Sequence, residues 1–177
     1  MNLANKITIA RILLVPIFMI FLLAQIPHGA TIASIIFIVA ALTDSLDGYI
    51  ARSRNQVTKL GKFMDPLADK LLVTAALVSL VQMEKIEAWV VVIIISRELI
   101  VSVFRAVAAS EGVVITASPW GKAKTISQIV AIITLLFNNY PFSIYNIPFD
   151  TISIWVAVIL TVISGYDYIY KNKRVFV

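Results

Sequence analysis

Six long apolar segments, separated by short polar or proline-containing breaks, are the feature that most restricts the fold of this chain. They cover residues 6–25, 31–52, 66–82, 87–109, 122–139 and 149–170. Each is close to the ~20 residues that a helix needs to cross a bilayer core. Hydrophobic residues make up 60% of the 177 residues and charged residues only 14%, which excludes an ordinary soluble domain. We predict an all-α membrane protein, one six-transmembrane-helix bundle forming a single domain over residues 1–177.

The basic residues indicate how such a bundle is oriented. With six spans, every lysine and arginine except Lys85 falls on one side, which is fourteen of the fifteen. Because basic loops stay in the cytoplasm, we expect both termini there, in the cytoplasmic membrane of a bacterium. The net charge of +5 then forms a basic face under an anionic leaflet, and we expect no nucleic-acid partner. The first segment contains Pro16 and lacks a small-residue cleavage pattern, so we expect a span there rather than a cleaved signal.

Four aspartates interrupt this apolar background. Asp44 and Asp47 are three residues apart, Asp65 and Asp69 are four apart, and on helices each pair shares one face. Four carboxylates in apolar surroundings repel one another and are expensive to desolvate, and a pair of divalent metal ions would neutralise them. The chain has no cysteine, so hard oxygen ligands suited to Mg²⁺ or Mn²⁺ are the ones available.

The alternative is that these aspartates are helix caps and surface charges. That explanation suits Asp65 and loosely Asp47, but Asp44 lies well inside the second apolar segment. Asp65 precedes Pro66, a residue favoured at the first helical position, so we predict that the third helix begins there. Gly61 would then lie in a polar hairpin between two antiparallel helices that bring the four carboxylates together near the cytoplasmic headgroups.

Small and basic residues follow the first aspartate pair. Gly48 and Ala51 leave a bare strip on the helix against which a bulky ligand can lie. Arg52 supplies a fork of donors suited to a phosphate or pyrophosphate.

The pattern over residues 44–69 resembles the signature of the CDP-alcohol phosphotransferase family. The matching positions are Asp44, Asp47, Gly48, Ala51, Arg52, Gly61, Asp65 and Asp69. The resemblance implies six membrane helices, usually in a homodimer, and a two-metal site open to the cytoplasm. It implies that the four aspartates hold two Mg²⁺ or Mn²⁺ ions and that Asp69 is the general base. Gly48, Ala51, Arg52 and Gly61 would face the CDP group, and Thr58, outside the signature, would place a hydroxyl on the nucleotide.

Further stretches resemble the branch of that family that uses glycerol 3-phosphate as its acceptor. They contain Asn5, Thr8, Arg11 and Pro16 near the start, and Ser96, Arg97, Glu98, Arg105, Gly121, Lys122, Lys124, Thr125 and Gln128 later. The likeness implies transfer of a phosphatidyl group from CDP-diacylglycerol to glycerol 3-phosphate, releasing CMP. By the same likeness Arg105, Lys122, Lys124 and Arg97 would bind the acceptor phosphate. Asn5, Thr8 and Arg11, spaced to share one helix face, would contact the donor's head.

Three alternatives stay open at this point. Arg97 could form an internal salt bridge with its neighbour Glu98 instead of an anion site. The acceptor could be inositol phosphate, phosphatidylglycerol or serine. A divalent-cation transporter is the alternative from another class, but it predicts acids spread through the membrane rather than gathered on the basic side.

Overall fold

All the regular secondary structure in the described part of the chain is helical. The computed structural model describes residues 3–24, 26–53, 59–113, 115 and 118–172, and at residues 3, 4, 44–53, 59–63 and 65 it describes the backbone alone. The α-helices in these ranges are α1 Leu3–Leu23, α2 Gly29–Ser53, α3 Lys59–Gln82, α4 Ala88–Ser110, α5 Pro119–Leu136 and α6 Phe149–Asn172, with a short 3-10 helix at Phe142–Tyr145. One helix corresponds to each apolar segment, so the predicted all-α class is confirmed.

The start of α3 differs from the prediction. α3 begins at Lys59, so Pro66 lies inside the helix and Gly61 belongs to α3 rather than to a hairpin. The prediction was wrong because a proline removes only one main-chain hydrogen bond and crowds one preceding carbonyl, and the residues before it can still be helical. Pro16 lies within α1 in the same way. By contrast, Pro119 is the first residue of α5, where its missing N–H leaves no bond unmade.

The contacts group the chain into two compact units. The first contains Met1–Lys85 and Leu135–Phe137, and the second contains Ile86–Thr134 and Asn138–Val177. In the first unit α1 packs against both α2 and α3, which also contact each other. Fully buried Phe18 and Phe37 join α1 and α2, with ring centroids 6.0 Å apart. The small side chains buried on α2 and α3 let helix backbones approach closely, and these are Ala33, Ala40, Ala68 and Ala76.

In the second unit α4 packs against α6. Gly165 on α6 permits this approach, because a Cβ added there would lie 3.2 Å from Cγ of Arg97 on α4. A buried hydrogen bond, in which Gln128 Nε2 donates to Thr161 Oγ1 at 3.0 Å, joins α5 to α6.

Asn139 lies in the connection between α5 and α6. Its backbone is in the left-handed conformation, which asparagine adopts more readily than most residues. Its amide donates to the Ile147 carbonyl at 2.7 Å, and its side-chain oxygen accepts from the Asp150 N–H at 3.2 Å.

Beside an apolar core that includes Phe18, Phe37 and Ile94, the chain buries polar side chains and exposes large apolar ones. Several polar side chains are fully buried, and they include Thr8, Arg11, Ser34, Ser79, Thr161 and Ser164. Many large apolar side chains are exposed on the helices, and examples are Leu13, Ile20, Ile35, Val92, Val103, Ile126 and Val162. Soluble monomers rarely expose so much contiguous apolar surface. This polarity indicates a membrane protein.

Two of the described helical stretches are long and apolar enough to cross a membrane, Asn5–Leu23 and Phe149–Asn172, and Gly29–Thr43 is a shorter apolar stretch. The remaining helices carry the ionisable residues of the candidate site, which lowers their hydropathy. α4, for example, contains Arg97, Glu98 and Arg105. The ionisable residues predicted to belong to the site therefore also make these helices less apolar, and so less easily identified as membrane spans.

Candidate functional site

One face of α1 carries three buried polar side chains. Asn5, Thr8 and Arg11 recur every third residue, and their exposed fractions are 5%, 0% and 1%. This face is buried inside the first unit, where α1 packs against α2 and α3. A guanidinium is costly to bury without a partner, and each of these three residues has a polar or electrostatic contact. The predicted sharing of one face by the three residues is confirmed, while their contact with a donor headgroup stays a prediction.

The four aspartates lie on the two helices that α1 contacts. Asp44 and Asp47 belong to the C-terminal part of α2, and Asp65 and Asp69 belong to α3. Asp69 is half-buried and has an interaction partner. The side chains of the other three aspartates lie outside the described residues, and the side chains that are described form no group of three metal-ligating residues. The four-carboxylate cluster therefore stays a prediction.

The donor set nevertheless suits the expected metals. Two helices that contact each other supply two aspartates each, with the helical spacing that puts each pair on one face. Carboxylate oxygens are the ligands that Mg²⁺ and Mn²⁺ prefer, and a chain without cysteine or an abundance of histidine offers no softer set.

The residues expected around the nucleotide are only partly described. Gly48, Ala51 and Arg52 lie in the last turns of α2, one residue or more beyond Asp47, and their side chains are outside the described set. Gly61 lies in the first turn of α3. Thr58 lies outside the described residues. The expected contacts of these residues with CDP stay predictions.

In the second unit, two of the predicted phosphate-binding residues share one carboxylate. Arg97 Nη1 lies 3.3 Å from Glu98 Oε1, and Lys124 Nζ on α5 forms a salt bridge with the same oxygen. The Lys124 side chain is 4% exposed and the Arg97 side chain 12%. The internal salt bridge considered for Arg97 is therefore present, and it extends to a second cation that neighbouring positions in the sequence did not suggest.

The other two predicted phosphate-binding residues are exposed. Lys122 lies in the first turn of α5, and Arg105 lies towards the end of α4. The Arg105 guanidinium lies over the ring of Tyr168 on α6, 5.6 Å from the ring centroid. Tyr168 is 2% exposed, so the ring is a fixed support for the cation. These two cations can reach an anion that approaches from outside.

Tyr168 also lines a cavity of about 300 Å³ in the second unit. Asp167 Oδ2 and the Tyr168 hydroxyl are buried and have no hydrogen-bond partner among the described residues, while Asp167 Oδ1 lies 2.7 Å from Lys171 Nζ. An acceptor oxygen and a phenol of this kind can bind the hydroxyls of a small polar ligand. The other lining residues are Val113, Ile115, Ser118 and Asn172.

The sequence reasoning missed Tyr168, Gly165 and the bridging role of Glu98. A signal existed for the first two, because Gly165 and Tyr168 are three residues apart and lie on the same face of α6. For Glu98 there was none, since its partner Lys124 is 26 residues away on another helix.

Comparisons with known proteins show which family this chain is similar to. A family model described as CDP-alcohol phosphatidyltransferase matches residues 1–163. The CDP-diacylglycerol–glycerol-3-phosphate 3-phosphatidyltransferase of Bacillus subtilis strain 168 is 50% identical, with 97% of this chain and 95% of the relative covered. Relatives of the same name from Haemophilus influenzae and Rickettsia bellii are 40% and 35% identical, with 97% and 99% of this chain and 94% and 97% of the relatives covered.

Proposed function

Since the chain belongs to the CDP-alcohol phosphatidyltransferase family, we propose that it transfers the phosphatidyl group of CDP-diacylglycerol to glycerol 3-phosphate. The products are phosphatidylglycerophosphate and CMP, and the reaction is the first step of phosphatidylglycerol synthesis. The names of relatives that are 35% to 50% identical over nearly the whole chain support this substrate pair.

The reaction exchanges one phosphorus–oxygen bond for another. The primary hydroxyl oxygen of glycerol 3-phosphate bonds to the phosphorus that carries the diacylglycerol, and the bond from that phosphorus to the CMP oxygen breaks. Asp69 accepts the proton of the attacking hydroxyl, and a base positioned in this way contributes roughly 10²–10⁴-fold to the rate. The half-buried position of Asp69 on α3 suits a group that must exchange a proton while remaining shielded from bulk water.

The first unit is the proposed donor site. Asp44, Asp47, Asp65 and Asp69 would hold two divalent ions, which supply charge neutralisation for a pyrophosphate. The bare strip of Gly48 and Ala51, with Gly61 and Thr58, would lie along the CDP group, and Arg52 would donate to its phosphates. The buried polar face of Asn5, Thr8 and Arg11 lies on the helix that contacts both aspartate-bearing helices, which supports a place for it at the donor's head.

The second unit is the proposed acceptor site. Arg105 and Lys122 are exposed cations that can bind a phosphate directly, and Lys124 and Arg97 are mostly buried cations that contact Glu98. A phosphorylated acceptor uses this charge, whereas serine would not need it. Asp167 Oδ2 and the Tyr168 hydroxyl, which have no hydrogen-bond partner among the described residues, support an acceptor that carries hydroxyls as well as a phosphate, and the Tyr168 ring lies under Arg105.

The proposal includes six spans with both termini in the cytoplasm. The absence of cysteine allows a direct test, because single cysteines can be introduced one at a time. Cysteines replacing the exposed Ile26 and Tyr145 should react with a membrane-impermeant maleimide in intact cells. A cysteine replacing Glu111 should react only after the membrane is opened. If the cysteine at Glu111 reacts in intact cells and the cysteines at Ile26 and Tyr145 do not, both termini lie outside the cell. The aspartates would then also face outwards, on the wrong side for CDP-diacylglycerol.

The proposal also includes a homodimer. Cross-linking of purified protein in nanodiscs, followed by mass determination, should give a species of twice the 19.6 kDa chain mass. A single-chain species at all protein concentrations would contradict this part of the proposal without affecting the chemistry.

The observation that carries the proposed function is the placement of two aspartate pairs on α2 and α3, two helices that contact each other and α1. The decisive assay measures CMP release from CDP-diacylglycerol with a panel of acceptors: glycerol 3-phosphate, inositol phosphate, phosphatidylglycerol and serine. Glycerol 3-phosphate should be used at least tenfold better than the others, by kcat/KM. If CMP is released only with another acceptor, the chain belongs to a different branch of the family. If liposomes that contain the protein take up divalent cations and no CMP is released, the protein is a transporter.

A further inference from the structure

A cavity of about 300 Å³ in the second unit is formed by the last turns of α6 and the connection from α4 to α5. The polar residues that line it are Ser118, Asp167, Tyr168, Lys171 and Asn172. This volume is at the lower end of the range for small-molecule sites. It therefore suits a ligand of a few carbon atoms rather than a lipid.

Most of the polar groups in this lining already have partners. Ser118 Oγ accepts a main-chain hydrogen bond in the first turn of α5 at 3.1 Å, and the Asn172 amide donates to the Tyr168 carbonyl at 2.7 Å. Asp167 Oδ1 lies 2.7 Å from Lys171 Nζ. Two buried polar atoms are left without a hydrogen-bond partner among the described residues, and they are Asp167 Oδ2 and the Tyr168 hydroxyl.

These two atoms are shielded from bulk water. Tyr168 is 2% exposed, and the Asp167 side chain is 18% exposed. A buried polar atom that makes no hydrogen bond has lost its hydration without compensation, so a ligand or ordered water is expected to contact it. Because the two atoms belong to consecutive residues that line one cavity, one small ligand can satisfy both.

An alcohol hydroxyl has the hydrogen-bonding capacity that this pair of atoms needs. It supplies one donor and two acceptor lone pairs, whereas an ionised carboxylate only accepts and a phenol can donate. An alcohol can therefore donate to Asp167 Oδ2 and accept from the Tyr168 hydroxyl. A methylene group can do neither, and an ammonium group can only donate.

Tyr168 connects the cavity with the proposed phosphate site. Its ring lies under the guanidinium of Arg105, 5.6 Å from ring centroid to guanidinium carbon, and the same residue lines the cavity. In glycerol 3-phosphate the secondary hydroxyl is on the carbon next to the one that carries the phosphate. The primary hydroxyl is the group that reacts, so the secondary hydroxyl is the one available to the cavity.

We propose that Asp167 and Tyr168 bind the secondary hydroxyl of glycerol 3-phosphate, and that Asp167 makes this hydroxyl a requirement for efficient transfer. The inference rests on the proposed function and adds a specificity determinant to it. Arg105 and Lys122 would recognise the phosphate, which any phosphorylated alcohol carries. Asp167 would select among such alcohols, because a carboxylate left without its donor opposes binding of the wrong one.

The test uses 3-hydroxypropyl phosphate, which keeps the phosphate and the reactive primary hydroxyl and lacks the secondary hydroxyl. CMP release from CDP-diacylglycerol gives kcat/KM for each acceptor. The unmodified protein should prefer glycerol 3-phosphate about ten- to a hundredfold, because a hydrogen bond to a charged group contributes on this scale. Asp167→Ala should reduce the preference to less than about threefold, by lowering kcat/KM for glycerol 3-phosphate and not for the analogue.

Lys171→Met is the matched control. It removes the ion pair with Asp167 and keeps the carboxylate, and the Lys171 side chain is 59% exposed. Exposed pairs of this kind contribute little, so the preference should match that of the unmodified protein. If Asp167→Ala does not fold, Asp167→Asn keeps the shape of the side chain and should still lower the preference at least about threefold, since a neutral acceptor binds a hydroxyl more weakly.

The remaining outcomes separate this inference from the proposed function. Absence of CMP release with either acceptor would reject the proposed function, and the inference with it. Equal use of both acceptors by the unmodified protein would overturn the inference alone and would mean that water occupies the cavity. Loss of activity by the same factor with both acceptors in the Asp167 variants would assign Asp167 a structural role, and an unchanged preference would also overturn the inference.

Discussion

The guanidinium of Arg105 lies over the ring of Tyr168, 5.6 Å from its centroid, and so joins α4 to α6 through a cation and an aromatic face. Because the ring is almost completely buried, it holds an exposed cation in one place. A cation–π contact of this kind contributes about 0.5–1 kcal/mol at exposed sites, and more when water is excluded. This contact would order Arg105 before the proposed phosphate binds.

Removing the ring should therefore weaken acceptor binding. Tyr168→Leu should raise KM for glycerol 3-phosphate by roughly two- to fivefold, the equivalent of the cation–π contact. Tyr168→Phe keeps the ring and should affect KM less. Tyr166→Leu serves as the matched control, because Tyr166 is exposed and stacks on Tyr170 rather than under a cation. If Tyr168→Phe is as defective as Tyr168→Leu, the hydroxyl rather than the ring is the important group.

Replacing the proposed base should stop the chemistry and spare donor binding. Asp69→Asn cannot take up the acceptor proton, and CMP release should fall by about 10²–10⁴-fold. Binding of CDP-diacylglycerol, measured as the ligand-induced rise in Tm, should largely persist. Near-normal turnover would exclude Asp69 as the base, and Glu111→Gln controls for a general effect of losing an acid.

Removal of metal should abolish activity reversibly. EDTA should eliminate CMP release, and added Mg²⁺ or Mn²⁺ should restore it, because the four proposed carboxylate ligands would depend on divalent charge to bind a pyrophosphate. The measurement is a titration of each metal into chelator-treated protein. Full activity in excess EDTA would contradict the two-metal proposal and leave the helical arrangement unaffected.

A glycine at the α1–α2 turn should be intolerant of a side chain. A Cβ at Gly29 would lie 2.4 Å from the carbonyl oxygen of Phe21, a backbone atom that cannot move independently. Gly29→Ala should therefore destabilise the protein by about 1–3 kcal/mol, typical of overpacking. Gly121→Ala is the matched control, since its nearest neighbour would be Ser118 Oγ at the ordinary distance of 3.6 Å. Thermal unfolding in detergent micelles compares the two, and equal Tm values would show that the turn relaxes.

A buried hydrogen bond between α5 and α6 offers a test of packing that is independent of the chemistry. Thr161→Val removes the acceptor of the Gln128 amide while keeping the shape of the side chain. Leaving a buried amide unsatisfied should cost about 1–3 kcal/mol of unfolding free energy. The double replacement with Gln128→Leu should recover part of that loss, and failure to do so would mean that the amide finds another partner.

The helical positions could be predicted because apolar segment length is a local property. Each predicted segment has its helix. The start of α3 was misplaced because Pro66 looked like a helix start and lies inside one, and α5 begins and ends three residues earlier than the predicted segment 122–139. The sharing of one face by Asn5, Thr8 and Arg11 was likewise predictable, because helical periodicity alone determines it. Their burial confirms that this polar face of α1 points inward.

The amino-acid sequence by itself determines the aspartate spacing, the apolar segments and the positions of the basic residues, and from these the all-α class, the family and the reaction could be predicted. Only the tertiary structure separated the four acceptor-site cations into two kinds, with Lys124 and Arg97 buried on Glu98, and Arg105 and Lys122 exposed. The physical reason is that burial and ion pairing depend on which helices pack together. Contacts such as Glu98 with Lys124, or Arg105 with Tyr168, join residues too far apart in the chain for any local periodicity to relate them.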